Sequence, residues 1–199
     1  TYSLDNANGL GVDYKAHSDV ATLFNPTNHV YFNLDGDPSK SVGNHSLQID
    51  AHQFAPLDQH HLTTGLQQTV NDSTFDFRKP KKIAEVFTTD NPQNQLVNGL
   101  DHPFFLDKKH NNQVAAKLTS GDGLVAVNLT TSSPAVVIFT ANFGTDFSLP
   151  MRRGLFKNHG GITLETQVAP GAERYPEFGN IILDSNLQYH ERTLFGLDF

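Results

Sequence analysis

The sequence predicts an all-β protein, one large antiparallel sandwich with long connections, and three observations carry that reading. Apolar residues recur with period 2 in several short runs, the pattern of half-buried strands. The runs close on turn-forming clusters: NANG at 6–9, DGDPS at 35–39, NPQNQ at 91–95 and TSGDG at 119–123,. Helical patterning is confined to one stretch, Lys79 to Phe87.

Thr1 to Leu4 already reads as a strand. In the next run Val12, Tyr14 and Ala16 alternate with Gly11, Asp13, Lys15 and His17. Leu47 and Ile49 then alternate with Ser46, Gln48 and Asp50, and later Val125, Val127 and Leu129 share one side. KPKKIAEVF at 79–87 is expected to make a helical turn or two, and the polar stretches at 88–99 and 108–113 are expected to be surface loops. No repeat, low-complexity tract or linker divides the 199 residues, so one domain spanning 1–199 is expected,.

Composition narrows the function. Fourteen basic against 21 acidic side chains leave a formal charge of −7, a field that repels a phosphate backbone, so no nucleic-acid partner is expected,. No apolar run approaches the roughly 20 residues needed to cross a bilayer, and no membrane partner is expected. Cysteine is absent, which removes disulfides, thiolate metal sites and cysteine nucleophiles and agrees with a cytoplasmic location,. His45, His52, His60 and His61 have no converging ligand spacing, so no metal site is expected,.

Three segments place a titratable residue inside a strand-like pattern. In NPTNHVYFNLDGD at 25–37, period 2 puts Thr27, His29, Tyr31 and Asn33 on one face and Val30, Phe32 and Leu34 on the other,. In HGGITLETQVAP at 159–170, Glu165 projects from the side opposite Ile162 and Leu164. In NGLDHPFFLD at 98–107, Asp101 and His102 precede the aromatic pair Phe104 and Phe105, and His102 is read as structural. Alone, each of the first two also fits an ordinary solvated sheet face, and Asp101 also fits a turn former.

Together, and in this order, TNHVYFNLDGD, DSTFDFRKPKKI, GLDHPFFL, SPAVVIFTANF, GITLETQ and the final NLQYHERTLFGLDF resemble the signature segments of the aldose 1-epimerase family. The resemblance runs the length of the chain. It implies the galactose mutarotase-like supersandwich and interconversion of the α and β anomers of a free aldohexose such as galactose or glucose, without a cofactor. By that resemblance His29 is the catalytic acid and Glu165 the catalytic base, while Asp101 and Tyr31 contact the sugar. The chemistry suits the pair: a base removes the anomeric proton while an acid protonates the ring oxygen. Histidine has a reference pKa of about 6.5 and glutamate one of about 4.3, which burial would raise toward a useful value. The two groups are expected on neighbouring strands of one concave face, on opposite sides of the ring, with roughly 5–8 Å between them.

The sequence also departs from the family. Val137 stands where the family usually has a Gln that reaches the sugar, and PGAERYP replaces a Pro-Asp segment after Gln167. An Arg and a His of the family's opening portion have no counterpart, so the chain is expected to be an incomplete sandwich with weak or no activity alone. Its uncovered sheet edges would then invite a second copy. Two other readings are a glycoside hydrolase using Asp101 and Glu165 as paired carboxylates, and a non-catalytic sugar-binding or sensory module of the same fold.

Overall fold

In the computed structural model, residues 1–107, 113–152 and 154–199 are described. Strand β1 (Tyr2–Leu4) leads into β2 (Gly9–His17) and a short β3 (Thr22–Leu23). After an extended crossing come β4 (Ser46–Ile49), β5 (Ala51–Phe54), β6 (Gln68–Thr69) and β7 (Lys81–Lys82), then helices α1 (Ala84–Phe87) and α2 (Pro92–Val97). The second half supplies β8 (Asp101–Leu106), β9 (Ala116–Thr119), β10 (Ala126–Thr131) and β11 (Ala135–Phe139). It ends with β12 (Ser148–Met151), β13 (Gly154–Lys157), β14 (Glu165–Gln167), β15 (Ile182–Leu183) and β16 (Gln188–Asp198).

Pairing is antiparallel and produces two principal sheets, ordered β1-β2-β16-β10-β9-β4-β7 and β14-β11-β8-β5-β6. Alternation decides what fills the space between them. Leu47, Ile49, Leu118, Val127, Leu129 and Phe195 come from the first sheet, and Phe54, Phe104, Val136 and Ile138 from the second. All of these are at most 1% exposed. Phe104 is central, with ring centroids 6.3 Å from Phe54, 6.2 Å from Phe75 and 6.0 Å from Phe77. Residues of opposite parity on β8 and β11 face outward, where Phe105 and Ala135 meet Ala169, Ala172, Tyr175 and Phe178 in a second cluster. The chain after β14 therefore covers one end of this outer face and leaves the end bearing Asp101, Val137, Phe139 and Glu165 for other uses.

The expected strands form as β2, β4 and β10, the last beginning at Ala126, but two expectations need correction. The stretch 88–99 is not all loop, because α2 lies within it. Asn91 caps that helix by accepting from Gln93 N, Pro92 opens it, and Asn98 ends it in the left-handed region at φ 54°,. Helix α1 is the one turn expected within 79–87, and it starts only at Ala84 because Lys81 and Lys82 pair with β4. The segment 25–33 is extended but joins no ladder, apart from a single bridge between Phe32 and Ile162. Its supposed apolar face is not uniformly covered: Val30 is 40% exposed. The Asn33 amide donates to the carbonyls of Asp37, Lys40 and Gly160, so side-chain bonds hold this segment where strand pairing was expected. The expected loop at 108–113 falls, except for Gln113, outside the described residues.

One edge of the larger sheet is β1, whose Tyr2 and Leu4 are 67% and 83% exposed. No helix among the described residues is long and apolar enough to cross a membrane. Phe104→Ala should lower unfolding free energy by about 3–5 kcal/mol, the usual cost of deleting a buried phenyl ring. Denaturant unfolding that shows less than about 1 kcal/mol would mean the two sheets do not share this core.

Candidate active site

The strip Gly160 to Glu165 shows how the sequence builds the site. A Cβ on Gly160 would lie 2.2 Å from the Pro38 carbonyl, so only glycine lets these two backbones touch,. Next, Ile162 and Leu164 enter the core at 0% and 1% exposure. Their anchoring turns Thr163 and Glu165 to the outer face, where Glu165 sits cross-strand from Val137. Thr163 N donates to Phe139 O at 2.9 Å. Phe139 N donates in return to Thr163 Oγ1 at 3.2 Å, and that hydroxyl donates to Glu165 Oε1 at 2.8 Å.

His29 reaches the same carboxylate from the extended segment. Asn25 clamps that segment to the chain beyond β14, donating to Val168 O and accepting from Val168 N, both at 3.0 Å. The bridged pair Phe32 and Ile162 holds its other end. Between these clamps His29 Nε2 lies 3.1 Å from Glu165 Oε1, with about half of the imidazole exposed. Tyr31 stands beside it at 5.1 Å between ring centroids. Phe139, 6.1 Å from His29 and 6.3 Å from Tyr31, continues an aromatic wall toward Phe143 and Phe156. Asp101 opens β8 opposite Phe139. It lines a cavity of about 380 Å³ with Val137, His61, Thr63 and Arg174, a volume in the range of small-molecule clefts. A larger groove of about 850 Å³ around Asp76, Arg78 and Lys81 contains none of the predicted site residues.

Electrostatics mark the same residues. Burial pushes the Glu165 carboxyl above the usual glutamate value and the charge of Asp101 adds to this, while the Thr163 hydroxyl and His29 oppose it. Burial likewise raises Asp101, against the pull of His61 and His29. Tyr31 is raised by burial and then by the Glu165 and Asp101 charges. Two carboxyls and a phenol thus act on one another at one end of one sheet face, the kind of clustering found at functional sites.

All four predicted residues meet here, but not as expected. The gap of 5–8 Å is overturned, because His29 Nε2 and Glu165 Oε1 are 3.1 Å apart and no ring fits between them. The expectation of neighbouring strands is also wrong for His29, which lies on no strand. His102 is structural: it is fully buried, 4.8 Å from the Phe75 ring. Its Nδ1 accepts from Asp101 N at 3.1 Å, and burial depresses its pKa to about 3. His45 is also buried, and its Nε2 accepts from Leu34 N at 2.9 Å. Among the described residues no three His, Asp or Glu side chains converge to hold a metal ion. Sequence reasoning missed Thr163, Phe139 and His61. Alternation from Val137 would have placed Phe139 on the site face, and alternation from Glu165 would have placed Thr163 there. Nothing local distinguishes His61.

A model of the aldose 1-epimerase family matches residues 1–196. The chain is 34% identical to the galactose mutarotase of Sus scrofa over 197 residues, 98% of this chain and 55% of the relative. It is 36% identical to the aldose 1-epimerase of Escherichia coli K12 over 182 residues, 89% of this chain and 51% of the relative. A crystal structure of galactose 1-epimerase from Lactobacillus acidophilus superposes with a TM-score of 0.84 at 34% identity, covering 99% of this chain and 55% of that one. An aldose epimerase homologue from C. elegans, at 23% identity, shares the fold with a TM-score of 0.86 over 99% of this chain and 58% of its own. The chain spans about half the length of the curated relatives it matches. Over that span the β architecture is that of the galactose mutarotase-like proteins, and the chain belongs to the aldose 1-epimerase family.

Proposed function

We propose that the protein is an aldose 1-epimerase that interconverts the α and β anomers of a free aldohexose such as galactose or glucose, with Glu165 as base and His29 as acid. The observation that carries the proposal is the 3.1 Å contact between His29 Nε2 and Glu165 Oε1 beside the Asp101 cleft. In a pyranose the anomeric oxygen and the ring oxygen are separated by one carbon. Acid and base must therefore present themselves side by side to one edge of the sugar, and a touching pair does this.

The Glu165 carboxylate takes the anomeric hydroxyl proton as His29 Nε2 gives its proton to the ring oxygen. The electrons of the O–H bond form the carbonyl, and those of the C1–O5 bond leave with O5. After rotation about C1–C2, the imidazole recovers the O5 proton as that oxygen attacks C1, and Glu165 returns its proton to the new anomeric oxygen. Protons and electrons balance within the pair. Asp101 accepts from a sugar hydroxyl, and the faces of Tyr31 and Phe139 take the C–H face of the ring. Val137 gives the cleft an apolar wall without a hydrogen-bonding group. The arrangement supports this reaction over paired-carboxylate hydrolysis, because the proton partner within reach of Glu165 is His29.

Polarimetry on freshly dissolved α-galactose and α-glucose tests the proposal. Accelerated approach to the equilibrium rotation is expected, and a rate equal to buffer alone would contradict it. Glu165→Gln and His29→Asn should each lower turnover by roughly 10²–10⁴, the contribution of a positioned general acid or base. Either variant within about threefold of the parent would show that the assigned roles are wrong.

The pH dependence follows from the raised Glu165 value. The base must be ionised, so kcat/KM should fall on the acid side with a midpoint above the ordinary glutamate value. The same shift affects stability with the opposite slope. The folded state holds its proton to higher pH than the unfolded chain, so stability declines as pH rises from the ordinary value through the raised one. Glu165→Gln should flatten that decline, and pH-dependent thermal melts identical for variant and parent would count against a raised pKa.

A further inference from the structure

Thr163 is fully buried two residues before the proposed base, which opens β14, and its hydroxyl has two partners of fixed polarity. A regular antiparallel ladder would bring Phe139 N to the carbonyl of Thr163, its cross-strand neighbour. Here Phe139 N donates instead to the Thr163 side-chain oxygen at 3.2 Å, while the reciprocal bond from Thr163 N to Phe139 O remains intact at 2.9 Å. A backbone N–H can only donate. The Thr163 oxygen therefore accepts, and its own proton is directed to Glu165 Oε1, 2.8 Å away,. With His29 Nε2 3.1 Å from the same atom, Oε1 carries the Thr163 hydrogen bond and faces the imidazole. No described residue makes a hydrogen bond to Oε2.

We propose that Thr163 is a positioning residue for the base: it relays the Phe139 N–H to Glu165 Oε1, fixing the carboxylate plane and leaving Oε2 as the atom that takes the anomeric proton. The inference rests on the assignment of Glu165 as base. Two consequences follow from the geometry. The relay bonds favour the ionised carboxylate, since a hydroxyl whose lone pair is engaged serves best as a donor to a charge. They also keep the side chain in one orientation, as productive proton transfer requires. The charged and titratable groups around this carboxylate are His29 from the extended segment, Tyr31 beside it, and Asp101 from β8. Of these, Asp101 works against ionisation and His29 for it. Thr163 is the one neutral donor set against burial.

The test is a direct titration of the Glu165 carboxyl carbon by NMR in the parent chain, Thr163→Val and Thr163→Ser. Valine keeps the shape and deletes the hydroxyl, so the Glu165 pKa should rise by about one unit, the equivalent of one hydrogen bond to a charged group. Serine keeps the hydroxyl and should restore the parental value. The acid limb of the mutarotation profile should move with the titration, lowering kcat at neutral pH while KM stays within about twofold. If the valine variant does not fold, Thr163→Ala replaces it with the same expected rise. An unchanged Glu165 titration in the hydroxyl-less variant, or a serine variant that titrates like valine, overturns the inference. A parent protein that does not accelerate mutarotation overturns the proposed function instead, however Glu165 titrates.

Discussion

The site depends on holding one carboxylate, Glu165, at 7% exposure on the outward face of a sheet. Taking a carboxylate out of water costs several kcal/mol unless donors meet it. Burial here drives Glu165 toward the protonated form, and Asp101 reinforces that drive. Two groups resist it, the Thr163 hydroxyl by a hydrogen bond and His29 by its charge. The balance leaves a carboxylate more basic than an ordinary glutamate, the direction that the proposed proton removal from a sugar hydroxyl would use,. His29, the proposed acid, supplies part of that stabilisation, so neither group can be tuned alone.

Everything around the pair serves to fix its geometry. Strand β11 is buried on both sides over most of its length: Val136 and Ile138 face the other sheet while Ala135 and Val137 face outward. That rigid strand orders Glu165 through Val137 and Thr163 through Phe139. His29 has no ladder of its own, and its position is set by Asn25, Phe32 and Asn33 acting as clips. A histidine on such a segment can shift by a fraction of an ångström more readily than one inside a sheet. This freedom would suit the proposed role of His29, in which the imidazole delivers a proton to a ring oxygen.

Much of this was legible in the sequence. Period-2 alternation located β2, β4 and β10 because each buries one face against a shared core, and the same rule oriented Glu165 opposite Ile162 and Leu164. It misread 25–34, where polar and apolar residues alternate as in a strand but Asn25 and Asn33 bond to backbone in place of a ladder. Helix α2 carries the signals Asn91-Pro92 and Asn98-Gly99, yet with only Asn94 and Val97 buried it shows almost no amphipathic period. The Glu165–His29 distance could not be read at all, because 136 residues of chain and two independent anchors determine it. The role proposed for Thr163 was hidden for a different reason: a threonine in a strand-like pattern is ordinary until its hydroxyl is seen to replace its own carbonyl.

If the contact between Glu165 and His29 is the working unit, their contributions to turnover cannot be independent. Groups that act on one proton path lose most of their joint effect when either is removed. The most direct measurement is a double-mutant cycle by polarimetry, comparing Glu165→Gln, His29→Asn and the combined variant at one pH. The combined variant should fall within about tenfold of the slower single one. Losses that multiply across the cycle would show two groups acting separately and contradict a single working unit.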